Sequence, residues 1–286
     1  ISAQELTNVG GHIQATEKLH FTLPHLDNQG GFILSAGTGS NALIFDVGSI
    51  DNRAGTLEIH GDQSSFHNIA FDNRNKGIIN HLGNGTLTFS GNGGLQNAGG
   101  ILQSAGDIYI QQHSLDNRGG QINAGLVRMN LEGDLNNSEE AKLAGSRLHI
   151  TANAINNQKG ILAGLGNYDD ALQLNVGHLD NSNGTLRSGA DTWVLNLDSL
   201  LNTGGSIFHT GNNQLTLTSD YLLTTSGTIA STANLSVAAQ GLDNSGQLIA
   251  DKNIYLSSGG DITNRVGAAI KAGELLTING DGTFVN

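Results

Sequence analysis

Asparagine recurs along this 286-residue chain at Asn8, Asn28, Asn52, Asn73, Asn97, Asn117, Asn137, Asn157, Asn181, Asn202, Asn244, Asn264 and Asn286, with Thr224 in the same series, at spacings of 20 to 22 residues apart from three of 24. Two residues before each rung stands an apolar anchor, from Leu6, Leu26 and Ile50 through Leu222 to Ile262 and Phe284, and none of these anchors is polar. Ahead of the anchor runs an alternating stretch, as in Leu19-x-Phe21-x-Leu23 or Leu172-x-Leu174-x-Val176. Period-two alternation buries one face of a strand and wets the other. After the rung come a glycine-containing turn and a second apolar step, as at Gly31 and Ile33. Such a unit, about 21 residues long, cannot bury its apolar face alone, whereas stacking each on the next pairs every strand in parallel and closes a continuous core. The expected fold is all-β: one right-handed parallel β-helix of about 13 coils over residues 1–286, with right-handed crossovers and a length on the order of 60 Å.

The rung has a physical use. Stacked amides donate to one neighbour and accept from the other, and asparagine tolerates the backbone of a sharp corner. Thr224 breaks that ladder, which predicts a weaker corner there. Five residues before the anchor, Phe21, Phe45, Phe66 and Phe89 share one lateral position. An aromatic platform for a ligand is one reading of this column. Its continuation as Ile110, Ile150, Leu174, Leu195, Leu217 and Val237 favours a core stack.

With 41 glycines, one proline (Pro24) and no cysteine, the composition suits a turn-rich sheet structure without disulfides. A net charge of −12 with 13 Lys and Arg offers no basic patch for nucleic acid, and no apolar run is long enough for a membrane span. Aspartates precede the rung at Asp27, Asp51, Asp72, Asp116, Asp180 and Asp243, where stacked carboxylates invite calcium. Thr7, Gln96, Asn136 and Asn156 interrupt that column, and turn aspartates ordinarily accept local backbone hydrogen bonds. The ten histidines lack metal-ligand spacing, and His20 and His149, on the outward strand column, read as surface residues. Carbohydrate-cleaving β-helices need clustered carboxylates beside a cleft, and Asp169-Asp170 is the only adjacent acidic pair in an insertion. The expectation is no enzyme, no catalytic or metal site and no cofactor. The longer coils carry their excess near Thr38, near His81 and at Asn167, Tyr168, Asp169 and Asp170, the candidate partner-contact turns.

The motif Leu-Asp-Asn-x-x-Gly-x-Ile, standing as Leu26-Asp27-Asn28-Gln29-Gly30-Gly31-Phe32-Ile33 and again from Leu115 to Ile122, resembles the repeats of filamentous haemagglutinins and of contact-dependent growth inhibition stalks. The resemblance runs from Leu6 to Asn286. It implies a large exoprotein at the surface of a Gram-negative bacterium, exported by an outer-membrane two-partner secretion transporter. It also implies a structural rod that mediates adhesion to a host or neighbouring-bacterium receptor or glycan, or that carries a toxin module. No Asn-Pro-Asn secretion motif and no toxin-like globular end accompany the repeats, so the expectation is an excerpt from a filament. A toxin domain with an immunity gene after Asn286 would separate stalk from adhesin.

Overall fold

The computed structural model describes residues 1–67, 70–220 and 223–286. Among them there is no helix; the strands pair in parallel, coil upon coil, as a β-solenoid of about 13 turns at a spacing of about 21 residues. The chain forms two compact units, one of residues 1–137 with 141–145 and one of residues 138–140 with 146–286.

In the first unit the strand Leu19–Asp27 lies on Leu43–Asp51 with Leu19 against Leu43, Phe21 against Phe45 and Leu26 against Ile50. Alternation puts Leu19, Phe21 and Leu23 inside, and a bend at Pro24-His25 resets the phase so that Leu26 also points in. The single proline therefore sits at the bend. Gly48 lies above it, where a Cβ would stand 2.8 Å from the Pro24 carbonyl oxygen. A second inward column runs Ile33, Leu57, Ile79, Leu102 and Ile122.

In the second unit a separate five-stranded parallel sheet is built from Thr192–Leu197, Gln214–Ser219, Asn234–Ala239, Ile254–Ser258 and Leu276–Gly280. Its inward column is Leu195, Leu217, Val237, Leu256 and Ile278. The rung strands and the post-rung strands, such as Ser206–His209 and Thr228–Ser231, supply the other walls.

The expected register fails by one residue in this unit. Leu223 pairs with Leu242, Thr224 with Asp243 and Thr225 with Asn244, so Thr225, not Thr224, occupies the rung. Leu222, the expected anchor, lies outside the described residues. Thr225 is buried and its hydroxyl finds no partner, unlike the amides above and below it. Thr225→Asn is expected to raise stability by about 1–2 kcal/mol by replacing an orphaned hydroxyl with an amide that both donates and accepts. A urea midpoint unchanged or lowered in the variant would show that the rung is not limiting there.

The turn glycines serve two purposes. The residue before the motif glycine adopts a left-handed backbone at Gly30 and Gly99, and Ala54, Lys159 and Asn183 do the same without being glycine. The motif glycines have no such backbone. A Cβ on Gly31, Gly55, Gly100, Gly120, Gly184 or Gly205 would fall 2.1–2.3 Å from the carbonyl oxygen of the rung asparagine one coil earlier. Close approach of successive coils, not backbone freedom, demands glycine there.

Candidate partner-contact surface

The interior is occupied by the repeat. In the first unit the Nδ2 groups of Asn8, Asn28, Asn52, Asn73, Asn97 and Asn117 each donate to the Oδ1 of the next rung at 2.7–2.8 Å, ending on Asn137. In the second, Asn157 donates to Asn181 and Asn181 to Asn202, each at 2.7 Å. After Thr225 the pattern resumes from Asn244 to Asn264 at 2.7 Å and on to Asn286 at 2.8 Å. Phe21, Phe45, Phe66 and Phe89 stack with centroids 4.9 Å apart, and Phe71 meets Phe66 edge-on at 5.2 Å. All five rings are buried, so no ligand reaches them.

The corner aspartates are committed within the chain. Asp51, Asp72 and Asp116 each accept the backbone N–H and the guanidinium of an arginine two residues on, with Arg53, Arg74 and Arg118 at 2.6–2.9 Å. Burial raises the carboxyl pKa of Asp51 and Asp116. The guanidinium and N–H hydrogen bonds outweigh it and hold both below the usual 3.8. Asp243 pairs with Arg265 from the following coil, Nε to Oδ1 at 2.6 Å. Among the described residues no group of three or more His, Cys, Asp or Glu could hold a metal.

Two histidines lie in the interior. His81 and His209 are enclosed, at 0 % and 1 % exposure. The His81 ring bonds Ser104 Oγ at 2.7 Å through Nδ1 and the Gly61 carbonyl at 2.8 Å through Nε2; His209 does the same with Ser231 and Ala190, each at 2.8 Å. A carbonyl only accepts, so Nε2 carries the proton and Nδ1 accepts from the serine, whose oxygen in turn accepts the N–H of Gly106 or Ala233. The expectation that His81 lies on a partner-contact turn is therefore corrected: it is inside, and Leu82 beside it is the exposed residue. The signal was in the sequence: His81 and His209 each stand two residues after an inward isoleucine, Ile79 and Ile207, so period-two alternation puts them on the buried face, and Ile59 precedes His81 in its column.

Burial holds both rings below the usual histidine value of 6.5. The unfolded chain then binds more protons than the folded one beneath pH 6.5, so this contribution is full above that value and is lost as pH falls toward the folded pKa. A drop in the urea midpoint between pH 7 and pH 5, flattened in the His81→Gln/His209→Gln variant, is expected. An equal drop in the variant would assign the acid sensitivity elsewhere.

Thr38 is exposed at its turn. The insertion at 167–170 is the more elaborate. Leu165 and Tyr168 are 57 % and 45 % exposed, Asn167 and Asp169 are exposed, and the turn closes through Ala171 N–H to the Tyr168 carbonyl at 2.9 Å. The Arg147 guanidinium lies 4.0 Å from the Tyr168 ring centroid and 3.2 Å from Asp170, and His149 donates to the Asp170 carbonyl at 2.8 Å. Gly166 backs the ring, where a Cβ would fall 2.6 Å from it. Arg147, His149 and Leu165 were not legible as part of this group. The available signal was a basic pair on the outward face of the coil just before an acidic insertion.

The sequence model of the haemagglutinin repeat matches residues 1–65, 72–139 and 210–286, well over half of the chain. The chain belongs to the haemagglutinin repeat family. That family and the β-solenoid fold fit a structural adhesin-type protein. No curated protein and no solved structure matches the chain. Within residues 140–209, which the repeat model leaves unmatched, the haemagglutinin-repeat architecture persists: Leu179 pairs with Leu200, and the Asn157–Asn181–Asn202 ladder is intact.

Proposed function

We propose that the chain is a structural spacer in a large secreted or cell-surface bacterial exoprotein, exported through an outer-membrane two-partner secretion transporter, and that it touches a receptor on a host or neighbouring cell through outward turns. The observation that carries this reading is the 165–170 insertion. Everything periodic is spent on the interior, while Leu165 and Tyr168 are held outward on a turn braced by Arg147 and Asp170. Exposed aromatic and aliphatic groups on a preorganised turn are the kind that anchor protein contacts.

The test is retention of the 286-residue chain on mammalian and bacterial cells. Leu165→Ser/Tyr168→Ala is expected to lower retention about tenfold, with the circular dichroism spectrum unchanged. Equal retention of variant and wild type would remove this turn from the contact, and no retention of either would remove adhesion by this segment. In-frame deletion of several internal coils from the parent protein is expected to leave secretion intact. A block in secretion would count against the spacer.

A further inference from the structure

The post-rung strands of the second unit carry an outward column with an uncommon profile. Arg187, Phe208, Ala230, Ile249 and Lys271 follow one another in register on successive strands. Ala230 is small between two large neighbours, so the sheet face dips between Phe208 and Ile249 into a slot of about 430 Å³. Phe208 is 37 % exposed, an unusual position for phenylalanine on a strand whose other face is buried. Thr232 and Asp251 border the slot on the side of the turn.

We propose that this slot is a binding subsite for one ring of a neutral glycan, with Phe208 as the stacking face. The proposal deepens the adhesin reading and rests on it only for its biological use. A pyranose is apolar on its C–H face and polar around its rim, and the slot is arranged to match. Phe208, Ala230 and Ile249 offer the apolar faces. Around them, Arg187 offers only donors and Asp251 only acceptors, and neither has an ion-pair partner among the described residues. The Thr210 and Thr232 hydroxyls donate inward, to the Ser188 and Gly211 carbonyls at 3.2 and 2.9 Å, which leaves their oxygens free to accept from a ligand hydroxyl.

The slot's volume lies near the lower end of the usual range for small-molecule sites, about 300–1,000 Å³, suited to one or two sugar rings.

Other occupants fit less well. An extended peptide binds by adding a strand to a sheet edge, whereas here the strands on both sides are already paired. A purely apolar ligand would use neither Arg187 nor Asp251. An acidic sugar would gain from Arg187 but meet Asp251 and a chain of net charge −12.

Saturation-transfer NMR on the 286-residue chain, with lactose, maltose, cellobiose and N,N′-diacetylchitobiose as probes, tests the proposal. At least one is expected to show saturation concentrated on ring C–H protons. Phe208→Ala, and Ala230→Leu, which fills the slot from an outward position, are each expected to weaken binding about tenfold. Arg187→Ala, at an exposed position, should weaken it about threefold or more and covers the case in which a slot variant fails to fold. Absence of transfer to all four disaccharides, equal transfer in Ala230→Leu and wild type, or preference for N-acetylneuraminic acid over all of them would each overturn the assignment. Sugar binding without cell retention would leave the slot standing and sink adhesion. Cell retention unaffected by Ala230→Leu, with no sugar bound, would do the reverse.

Discussion

Gly100→Ala is expected to destabilise its coil by more than about 3 kcal/mol, while Gly99→Ala beside it is expected to cost about 1 kcal/mol. The order is opposite to the one backbone conformation alone suggests, because Gly99 is the residue with positive φ, at 66°. A Cβ on Gly99 meets nothing within 4 Å. A Cβ on Gly100 would lie 2.1 Å from the Asn73 carbonyl oxygen and 2.7 Å from the Asn97 side-chain oxygen. Relief requires separating two coils, and with them the 2.7 Å bond from Asn73 to Asn97. Because a solenoid opens locally, native-state hydrogen exchange at the amides of residues 97–102 is the appropriate measurement. Comparable protection in the two variants would mean that coil separation is softer than this packing implies.

Phe66→Ala is the second large effect, at about 3–5 kcal/mol. Phe66 is stacked between Phe45 and Phe89, each 4.9 Å away, and is met edge-on by Phe71, so truncation leaves a cavity with rigid aromatic walls on three sides. Phe66→Leu is expected to cost less than about 1.5 kcal/mol, because the same column becomes Ile110 and then Met129 further along. A leucine variant as unstable as the alanine one would show that ring stacking, rather than filled volume, sustains the first coils.

Much of this architecture was readable because two periodic demands coincide: an apolar residue two places before each rung, and an amide at the rung itself. The register slipped only where the sequence is degenerate. Leu222-Leu223 and Thr224-Thr225 are doublets, so either member of each pair satisfies the pattern, and only the pairing of Thr225 with Asn244 decides between them. The buried histidines escaped notice for a different reason. Their partners, Ser104 and Ser231, are about one coil away in sequence, and the alternation that marks their face, Ile79-x-His81 and Ile207-x-His209, is a single step long. The Arg53, Arg74 and Arg118 pairs were visible as residues but not as the answer to the acidic corner, because neutralisation depends on a turn that brings positions two apart together. The Phe208 slot was hidden altogether: it arises from the contrast in size of three residues about 20 positions apart.

The asparagine ladder has a sense as well as a spacing. The Nδ2 groups of Asn8, Asn28, Asn52, Asn73, Asn97, Asn117, Asn157, Asn181, Asn244 and Asn264 all point to the following coil, and the rung backbone N–H groups of Asn8, Asn28 and Asn52 point the same way. Along each uninterrupted run of rungs the side-chain amides form a polar column of parallel dipoles, in which each bond polarises the next. A coil awaiting its successor therefore presents one unused rung amide donor, beside the backbone N–H and C=O groups that alternate along its edge strands. The next coil meets that donor with its single rung Oδ1. The ladder gives the finished stack a polarity as well as holding its coils together.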